Sequence, residues 1–365
     1  MDLVHAVDFA ERMRARMAER GLGTRALARA VPCDPALISR LAHGRQGPSG
    51  QMAQRIDDVL EAGGQLAIVA RADGLAAGAG ERLAAAALVP RRAGEQEAQS
   101  LSVMLEGTRR LEDRVGSAAV VPVTAAQASL AVDLASEARG KARPALVSVA
   151  AQWAQFRGWL AASTRRPGDA VRAFGDALTL ATEVSDTDMI ATVLSMRGYL
   201  AWQAGKPGAV IGLSAAAQAR GTSPGVRALA AQQEARGHAM TGDAAMTDRK
   251  LDEAAELAAQ AASHPGTEPP WVYFHDENYL VMQRGRAYLY VRRYAAAARL
   301  LTAGLEAVGA GVRESEWAAW YLLDLATAYR ALGEREVAAE AATEAVRIAA
   351  ATGSSRLAAR ARVLA

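Results

Sequence analysis

A repeated Arg-Gly dipeptide marks the second half of the chain. Successive copies recur roughly every 40 residues, with a longer interval before the last one, and a fifth, similar unit has Ala326 in place of the glycine. A period of roughly 40 residues is typical of helical hairpins that stack into a solenoid, because one hairpin cannot bury its apolar face alone. The pattern therefore predicts a helical solenoid from about residue 150 onward. The four dipeptides are Arg157-Gly158, Arg197-Gly198, Arg236-Gly237 and Arg284-Gly285.

The composition supports an all-α fold and excludes several protein classes. Apolar residues make up 51% of the chain and charged residues 22%, which excludes wholesale disorder. Ala, Leu, Arg and Glu are abundant and Ile is rare, a bias that favours helices over strands. The single cysteine, Cys33, excludes an internal disulfide and a metal site built from several cysteines.

Residues 1–70 have the apolar spacing and the cap residues of a small domain of five short helices. Phe9, Met13 and Met17 recur every four residues and therefore share one helix face. Asp34 followed by Pro35 is a strong helix start signal, because aspartate caps a helix and proline suits its first position. We predict a first domain over residues 1–70 on this basis.

The segment after this domain is looser in composition. Glycines near residue 78 and Pro90 predict a linker over residues 71–95 that contains one weak helix. Two further helices are expected over residues 96–116 and 124–139, with a turn at Val121-Pro122 between them. The second domain is therefore predicted to span residues 96–365.

Residues 27–44, LARAVPCDPALISRLAHG, resemble the helix-turn-helix of phage-repressor-like (Cro/XRE-type) regulators without a gap. Leu27, Ile38, Leu41 and Gly44 stand where that family has core and turn residues, and Pro32 replaces the usual turn glycine. The resemblance implies that the helix beginning at Pro35 enters the major groove of double-stranded DNA.

Basic residues accumulate around this motif. Residues 12–55 contain nine arginines and two acidic residues, a local charge of +7, which suits a phosphate backbone. In an Arg-rich chain, single residues such as Arg12 or Arg55 are more simply interpreted as solvated surface. Arg40 can make a bidentate contact to guanine, while Arg25, His43 and Arg45 match backbone-contacting positions of the family. The candidate DNA-binding residues are Arg25, Pro35, Ala36, Ser39, Arg40, His43 and Arg45.

Two segments of the repeat region resemble a tetratricopeptide repeat (TPR). They are GDAVRAFGDALTLA, which begins at Gly168, and LLDLATAYRALGEREVAAEAATEAV, which begins at Leu322. The usual TPR period is about 34 residues, so these longer units are TPR-like. With its N-terminal motif, the chain resembles one-component regulators of the actinobacterial type. The predicted fold is all-α: a five-helix helix-turn-helix domain followed by a TPR-like α-solenoid.

The TPR resemblance implies that the first helix of each unit lines a concave groove. The residues that would face this groove are the one three positions before the glycine of each Arg-Gly dipeptide and those one, four and five positions after it. A concave surface of aromatic and polar side chains suits a ligand or a peptide, although Trp159, Tyr199 and Trp202 could instead fill the superhelix axis. The candidate ligand-binding residues are Gln155, Trp159, Tyr199, Trp202, Gln203, Glu234, His238, Arg286 and Tyr290.

The four arginines of the Arg-Gly dipeptides allow two interpretations. They could form a ladder that binds anions. Alternatively, their stems pack between helices while their guanidinium groups pair with nearby Asp and Glu, which is the more common arrangement.

The chain carries no metalloprotease, nucleophile-elbow, Walker A or Rossmann signature, so we predict no enzymatic activity, no cofactor and no metal site. The N-terminus lacks the features of a signal peptide, and no run of 18 consecutive apolar residues occurs. We therefore expect a cytoplasmic protein that does not engage a membrane.

These features together predict a sequence-specific DNA-binding transcriptional regulator whose groove senses a small-molecule or peptide effector. One helix-turn-helix contacts little DNA, so a homodimer on a pseudo-palindromic operator is expected, with the second domain contributing to dimerisation. The alternative is a protein–protein interaction scaffold in which the TPR-like groove docks a partner protein.

Overall fold

A computed structural model describes residues 5–67, 69–70, 79–264 and 266–364. These residues form α-helices and 3-10 turns with no strand among them, which confirms the all-α fold class. The chain divides into two compact units, Met1–Val103 and Met104–Ala365, and the division falls inside one long helix, Glu95–Val115.

The first unit contains a cluster of short helices around one apolar core. Phe9, Met13, Leu27, Ile38 and Leu41 are all almost fully buried in this core, as the sequence periodicity predicts. The helices are α1 (His5–Glu19), α2 (Thr24–Ala30), α3 (Pro35–Ala42), α4 (Gly50–Leu60), α5 (helical residues 65–67 and 69–70), α6 (Ala79–Leu88) and the first part of α7 (Glu95–Val115).

Two aspartates fix where helices begin in this unit. The Asp34 carboxylate accepts a hydrogen bond of 2.8 Å from the backbone N–H of Ala36, and Pro35 follows it as the first helical residue of α3. Asp57 is buried on α4 and accepts hydrogen bonds from the backbone N–H groups of residues 64, 66 and 67, at 2.6, 2.7 and 3.1 Å. Its carboxylate thereby satisfies otherwise unpaired donors at the start of α5.

The segment expected to be a linker is partly helical. Residues 71–78 of this segment lie outside the described residues. α6 follows them, and a 3-10 turn at Pro90–Arg92 leads towards α7.

The second unit consists of helices joined mostly by turns of a few residues, so that neighbours along the chain pack side by side. After the end of α7, these helices are α8 (Ser117–Glu137), α9 (Arg143–Ser163), α10 (Pro167–Glu183), α11 (Thr187–Gln203), α12 (Pro207–Arg220), α13 (Pro224–Met240), α14 (Ala244–Ala262), α15 (Glu277–Tyr290), α16 (Tyr294–Ala307), α17 (Ala310–Arg313), α18 (Glu316–Leu332), α19 (Arg335–Thr352) and α20 (Ser355–Leu364).

The turn predicted at Val121-Pro122 is wrong, because α8 continues through Pro122. The chain bends instead at Gly116, which has a φ of 86° and follows the last residue of α7. A side chain at this position would also be crowded, since an added Cβ would lie 2.9 Å from Oε2 of Glu316. Pro122 is the sixth residue of α8 and is exposed, and the helix continues although proline has no N–H to donate to the carbonyl oxygen of Ala118.

α8 is long and apolar enough to cross a bilayer when only length and composition are considered. Its mean hydropathy is 1.5 over the most apolar window, and no charged residue occurs between Ser117 and Val132. The search for consecutive apolar residues missed it because uncharged polar residues such as Thr124 interrupt the run. One third of the window is buried and α8 packs against α9, and helices of soluble proteins also meet these criteria.

Close helix–helix contacts recur at a fixed offset in the repeats. A Cβ added at Gly158 would lie 2.5 Å from the ring of Phe174, and one at Gly285 would lie 2.8 Å from Leu301. In both hairpins the partner lies in the second helix of the same hairpin, at the same distance along the chain from the glycine. Gly198 lies opposite Ser214 at this offset too, with a Cβ distance of 3.2 Å. These glycines allow the two helices to approach closely.

The third repeat has a different register from the one that its Arg-Gly dipeptide suggests. Gly237 faces the preceding hairpin, because an added Cβ would lie 2.7 Å from Ile211 of α12. Ala235 takes the equivalent place instead, and it shares an apolar cluster with Leu251 of α14, which stands at the same offset from it as Phe174 does from Gly158. The inner side of α13 is therefore shifted by two positions.

Candidate functional site

The third helix presents one apolar face inward and one polar face outward. Ile38 and Leu41 have no exposed surface, whereas Pro35, Ala36 and Arg40 are exposed and Ser39 is partly exposed. The structure thus brings the four predicted groove-contacting residues of α3 together on its outward face, with a capped N-terminus at one end.

Polar contacts organise the C-terminal end of α3. The exposed Arg40 donates a hydrogen bond of 3.0 Å from Nε to Oε1 of Gln46. Nδ1 of His43 lies 2.7 Å from the backbone oxygen of Ser39, which can only accept, so Nδ1 carries the proton. His43 and Arg45 are both exposed immediately after the helix.

Ion pairing separates the arginines of the first unit into two groups. Arg16 pairs with Glu19 at 2.8 Å, and Arg20 pairs with Glu61. Arg25 and Arg45 are exposed and have no carboxylate partner among the described residues. In the described part of the chain, positive charge without a carboxylate partner therefore lies at the start of α2, at Arg25, and in the loop after α3, at Arg45.

Cys33 lies in the turn between α2 and α3. Burial and the neighbouring carboxylate of Asp34 raise the pKa of its thiol above the ordinary value. The thiol is therefore less readily ionised than a free cysteine, which argues against a reactive thiolate beside α3.

Four of the predicted ligand-binding residues form one continuous row in the second unit. The ring centroids of Trp159 and Tyr199 are 5.5 Å apart, and those of Tyr199 and Trp202 are 5.3 Å apart. Trp202 then donates a hydrogen bond of 2.8 Å from Nε1 to the hydroxyl of Tyr290, which links α11 to α15. We call Trp159, Tyr199, Trp202 and Tyr290 the aromatic row.

Arg286, also predicted, lies on α15 and is paired. Its Nε donates to Oδ2 of Asp324 at 2.5 Å, and its guanidinium lies 4.3 Å from the ring centroid of Tyr321. The two glutamines that were predicted differ in exposure: Gln155 is buried on α9, whereas Gln203 is exposed at the end of α11.

The structure does not bring Glu234 and His238 to the aromatic row. Glu234 pairs with Lys250 of α14 at 3.1 Å, and His238 lies 3.8 Å from the same carboxylate. The reason is the shifted register of α13, since residues two positions away point to opposite sides of a helix. Gln232 and Arg236 occupy the inner positions instead.

Sequence reasoning missed Gln232 and Arg236 as members of this site. The guanidinium of Arg236 lies 4.6 Å from the ring centroid of Trp202, and its Nη2 donates to Oε1 of Gln283 at 2.5 Å. Gln232 donates to the same oxygen at 3.2 Å, while Gln283 donates from Nε2 to the hydroxyl of Tyr321 at 2.9 Å. The constant offset between packing positions places Ala235 in the packing role and Arg236 on the inner side, but an alanine carries no distinctive signal in a chain so rich in alanine.

The four arginines of the Arg-Gly dipeptides are not equivalent. Arg157 pairs with Asp176 at 3.0 Å and Arg284 pairs with Asp252 at 2.6 Å, which agrees with the expectation that these guanidinium groups pair with nearby acidic residues. Arg197 is exposed on α11. Only Arg236 of the four is buried, with 3% of its surface exposed.

A half-buried carboxyl group lies at the other end of the aromatic row. Oε1 of Glu112 accepts hydrogen bonds from the hydroxyl of Ser117 at 2.6 Å and from Nε1 of Trp159 at 3.4 Å. Burial raises the pKa of Glu112 to about 7, and the neighbouring carboxylates of Asp113 and Glu316 act in the same direction. Glu112 therefore titrates near neutral pH beside Trp159.

The segment before α15 contains Trp271, Tyr273, Phe274 and His275, and a hydrogen bond joins it to the repeats. Trp271 donates a hydrogen bond of 2.9 Å from Nε1 to the hydroxyl of Thr192 on α11.

Burial lowers the pKa of His275 to about 4, so this imidazole is neutral at pH 7. The described residues contain no group of three or more His, Cys, Asp or Glu side chains arranged for a metal ion.

A cavity of about 320 Å³ lies away from the aromatic row, between α8, α9 and α10. Val121, Thr124 and Leu160 line it together with three arginines, Arg157, Arg166 and Arg172. Arg157 pairs with Asp176, while Arg166 and Arg172 share Asp169, and these charged side chains are largely open to solvent.

Comparison with known proteins gives one result for the first unit. A helix-turn-helix domain family matches residues 8–67, a range that covers α2, α3 and α4 completely. No curated protein matches the chain. The match supports a helix-turn-helix DNA-binding domain at residues 8–67 and points to a DNA-binding regulator.

Proposed function

We propose that the chain is a sequence-specific transcriptional regulator of the phage-repressor-like type, in which α3 reads the major groove. The observation that carries this proposal is the outward face of α3 within the matched helix-turn-helix domain, with Asp34 capping its N-terminus. Recognition helices contact base edges mainly through residues in their N-terminal part, and Pro35, Ala36 and Ser39 occupy that part here.

Arg40 and the flanking cations have different roles in this proposal. The guanidinium of Arg40 exchanges its exposed hydrogen bond with Gln46 for a bidentate contact to guanine. Arg25, His43 and Arg45 contact phosphates, which position the domain without reading sequence.

The second unit is proposed to be a TPR-like effector and dimerisation domain. Its helical hairpins have close contacts that recur at a constant offset, and their first helices carry the aromatic row. A row of aromatic rings next to glutamine and arginine side chains is suited to a small molecule or peptide. The chain would act in the cytoplasm as a homodimer on a pseudo-palindromic operator, without enzymatic activity.

The experiment compares Arg40→Ala with Arg25→Ala on a panel of duplexes that differ at single base pairs. Arg40→Ala is expected to weaken binding to the preferred site by about 1–3 kcal/mol and to remove discrimination at one base pair. Arg25→Ala is the matched control, because losing a phosphate contact weakens binding to all duplexes about equally.

Equal losses on every duplex for Arg40→Ala would contradict the proposed role of α3. A uniform effect would show that Arg40 contacts only the phosphate backbone, and the reading helix would then have to be sought elsewhere.

A further inference from the structure

We propose that Arg236 recognises a carboxylate of the effector, and that the effector carries this carboxylate on a flat apolar body. The inference rests on the proposed ligand-sensing role of the second unit, and it specifies the chemistry of the ligand. It assigns to Arg236 an anion subsite beside the aromatic row.

Arg236 carries a buried charge that no carboxylate compensates among the described residues. Only 3% of Arg236 is exposed, and no carboxylate lies within ion-pair distance of it among the described residues. Its Nη1 is buried without a hydrogen-bond acceptor there. A buried guanidinium normally has a partner, because the loss of hydration is otherwise uncompensated.

The groups around Arg236 carry little negative charge. Arg286 is the one cation that acts on Arg236 among the described residues, and Asp324 already neutralises it at 2.5 Å. The remaining polar neighbours are neutral glutamine and tyrosine side chains, including Gln283 and Tyr279. The region therefore has an excess of one positive charge, which a monoanionic carboxylate balances better than a doubly charged phosphate.

Arg109 provides a useful comparison, since it is also buried and has an unpartnered Nη2. Glu106, one turn earlier on α7, acts on Arg109 and favours its charged form. Arg236 has no such acidic neighbour among the groups that act on it. Arg236 also lies against the aromatic row, with its guanidinium 4.6 Å from the Trp202 ring centroid, whereas the guanidinium of Arg109 is 5.8 Å from the ring centroid of Phe156.

Gln283 and Trp202 hold the guanidinium of Arg236 in place. Oε1 of Gln283 accepts from both Arg236 and Gln232, which fixes the plane of the guanidinium. The Trp202 ring lies 4.6 Å from the guanidinium carbon and is itself held by Tyr290. A carboxylate that binds Nη1 would lie close to Trp202 and Tyr199, so the rest of the ligand would have aromatic surface to pack against.

Two sources can supply this chemistry: a free aryl carboxylic acid, or the C-terminal carboxylate of a short peptide. Calorimetric titration of the full chain tests both with matched neutral analogues. Phenylacetate is compared with phenylacetamide, and the peptide Gly-Gly-Phe is compared with its C-terminal amide. We expect at least one acid to bind at least about 30-fold more tightly than its amide, and the pair that shows this preference identifies the source.

Substitution of Arg236 then assigns the preference to this side chain. Arg236→Met is expected to reduce the preference of acid over amide to less than about threefold. Arg236→Lys keeps a cation and should retain part of the preference, which guards against a folding defect in the methionine variant. Arg197→Met is the matched control, because this exposed arginine also precedes a packing glycine, and it should leave the preference unchanged.

Absence of any preference for acid over amide in the wild-type chain would overturn the inference. A preference that persists in a folded Arg236→Met variant would also overturn it. Sequence-dependent DNA binding by the wild-type chain is measured on the same preparation. If that binding is intact while the acid preference is absent, the carboxylate inference fails and the proposed DNA reading stands.

Discussion

Replacing Glu112 by glutamine should stabilise the second unit above neutral pH and leave its stability unchanged in mild acid. Glutamine keeps the size of the side chain and an oxygen that accepts from Ser117 and Trp159, but it cannot ionise. The substitution therefore isolates the free-energy cost of a negative charge at this half-buried position, next to Asp113 and Glu316.

The magnitude follows from the pKa of Glu112, which burial raises from 4.5 to about 7. Below pH 4.5 the carboxyl group is protonated in both the folded and the unfolded chain and contributes no pH dependence. Between pH 4.5 and 7 only the unfolded chain loses the proton, so wild-type stability falls as the pH rises, and above pH 7 the loss is complete. The full loss is about 2–3 kcal/mol after allowance for the solvent that reaches part of the side chain.

The assay is urea unfolding followed by tryptophan fluorescence at pH 4.5 and pH 8. All six tryptophans lie between residues 153 and 320, so the signal reports the second unit alone. Glu112→Gln should equal the wild type at pH 4.5 and exceed it by about 2–3 kcal/mol at pH 8. Glu340→Gln, at an exposed position of α19, is the control and should change stability by less than about 0.5 kcal/mol at both pH values.

A stability difference between Glu112→Gln and the wild type that is the same at both pH values would refute this reasoning. It would mean that the carboxyl group of Glu112 has a similar pKa in the folded and unfolded chains and is therefore well solvated.

Two further substitutions test the packing and capping in each unit. Gly158→Ala should destabilise the second unit by about 1–3 kcal/mol, because the new Cβ meets the Phe174 ring at 2.5 Å. Its control Gly175→Ala lies in open space within α10 and should stabilise the unit by about 0.5–1 kcal/mol. Fluorescence-detected urea unfolding measures both changes, and equal effects would contradict the close approach of α9 and α10. Asp57→Ala should increase the hydrogen-exchange rate of the backbone amides at residues 64, 66 and 67 at least about 10-fold. Asp58→Ala, one residue away and exposed, is the control and should leave these rates unchanged. Unchanged rates in Asp57→Ala would show that its carboxylate does not hold the start of α5.

Local sequence signals predicted the helix-turn-helix well, because its structure depends on neighbouring residues. The Asp34-Pro35 pair marks the start of α3, and the spacing of Ile38 and Leu41 identifies its buried face. The outward face, including Arg40, follows directly from these two facts.

Contacts between distant residues explain what sequence reasoning missed in the second unit. The turn predicted at Pro122 assumed that proline ends a helix, but the chain bends at Gly116, where a positive φ favours glycine and Glu316 crowds an added side chain. The register of α13 depends on Ala235 packing against Leu251, and the Arg-Gly dipeptide at 236–237 gave a false alignment. An alanine among many alanines carries no distinctive signal, so the inner position of Arg236 became visible only in the structure.

Whether this chain reads DNA sequence is best decided by selecting duplexes from a random-sequence pool with the full-length chain and then measuring affinity at increasing salt. We predict enrichment of a pseudo-palindrome whose half-site centres are about 10 bp apart, or a multiple of that spacing, and an affinity that falls steeply as salt increases. A pool that stays random after repeated selection, or an affinity that does not depend on salt, would contradict the proposal that this chain reads DNA sequence through α3.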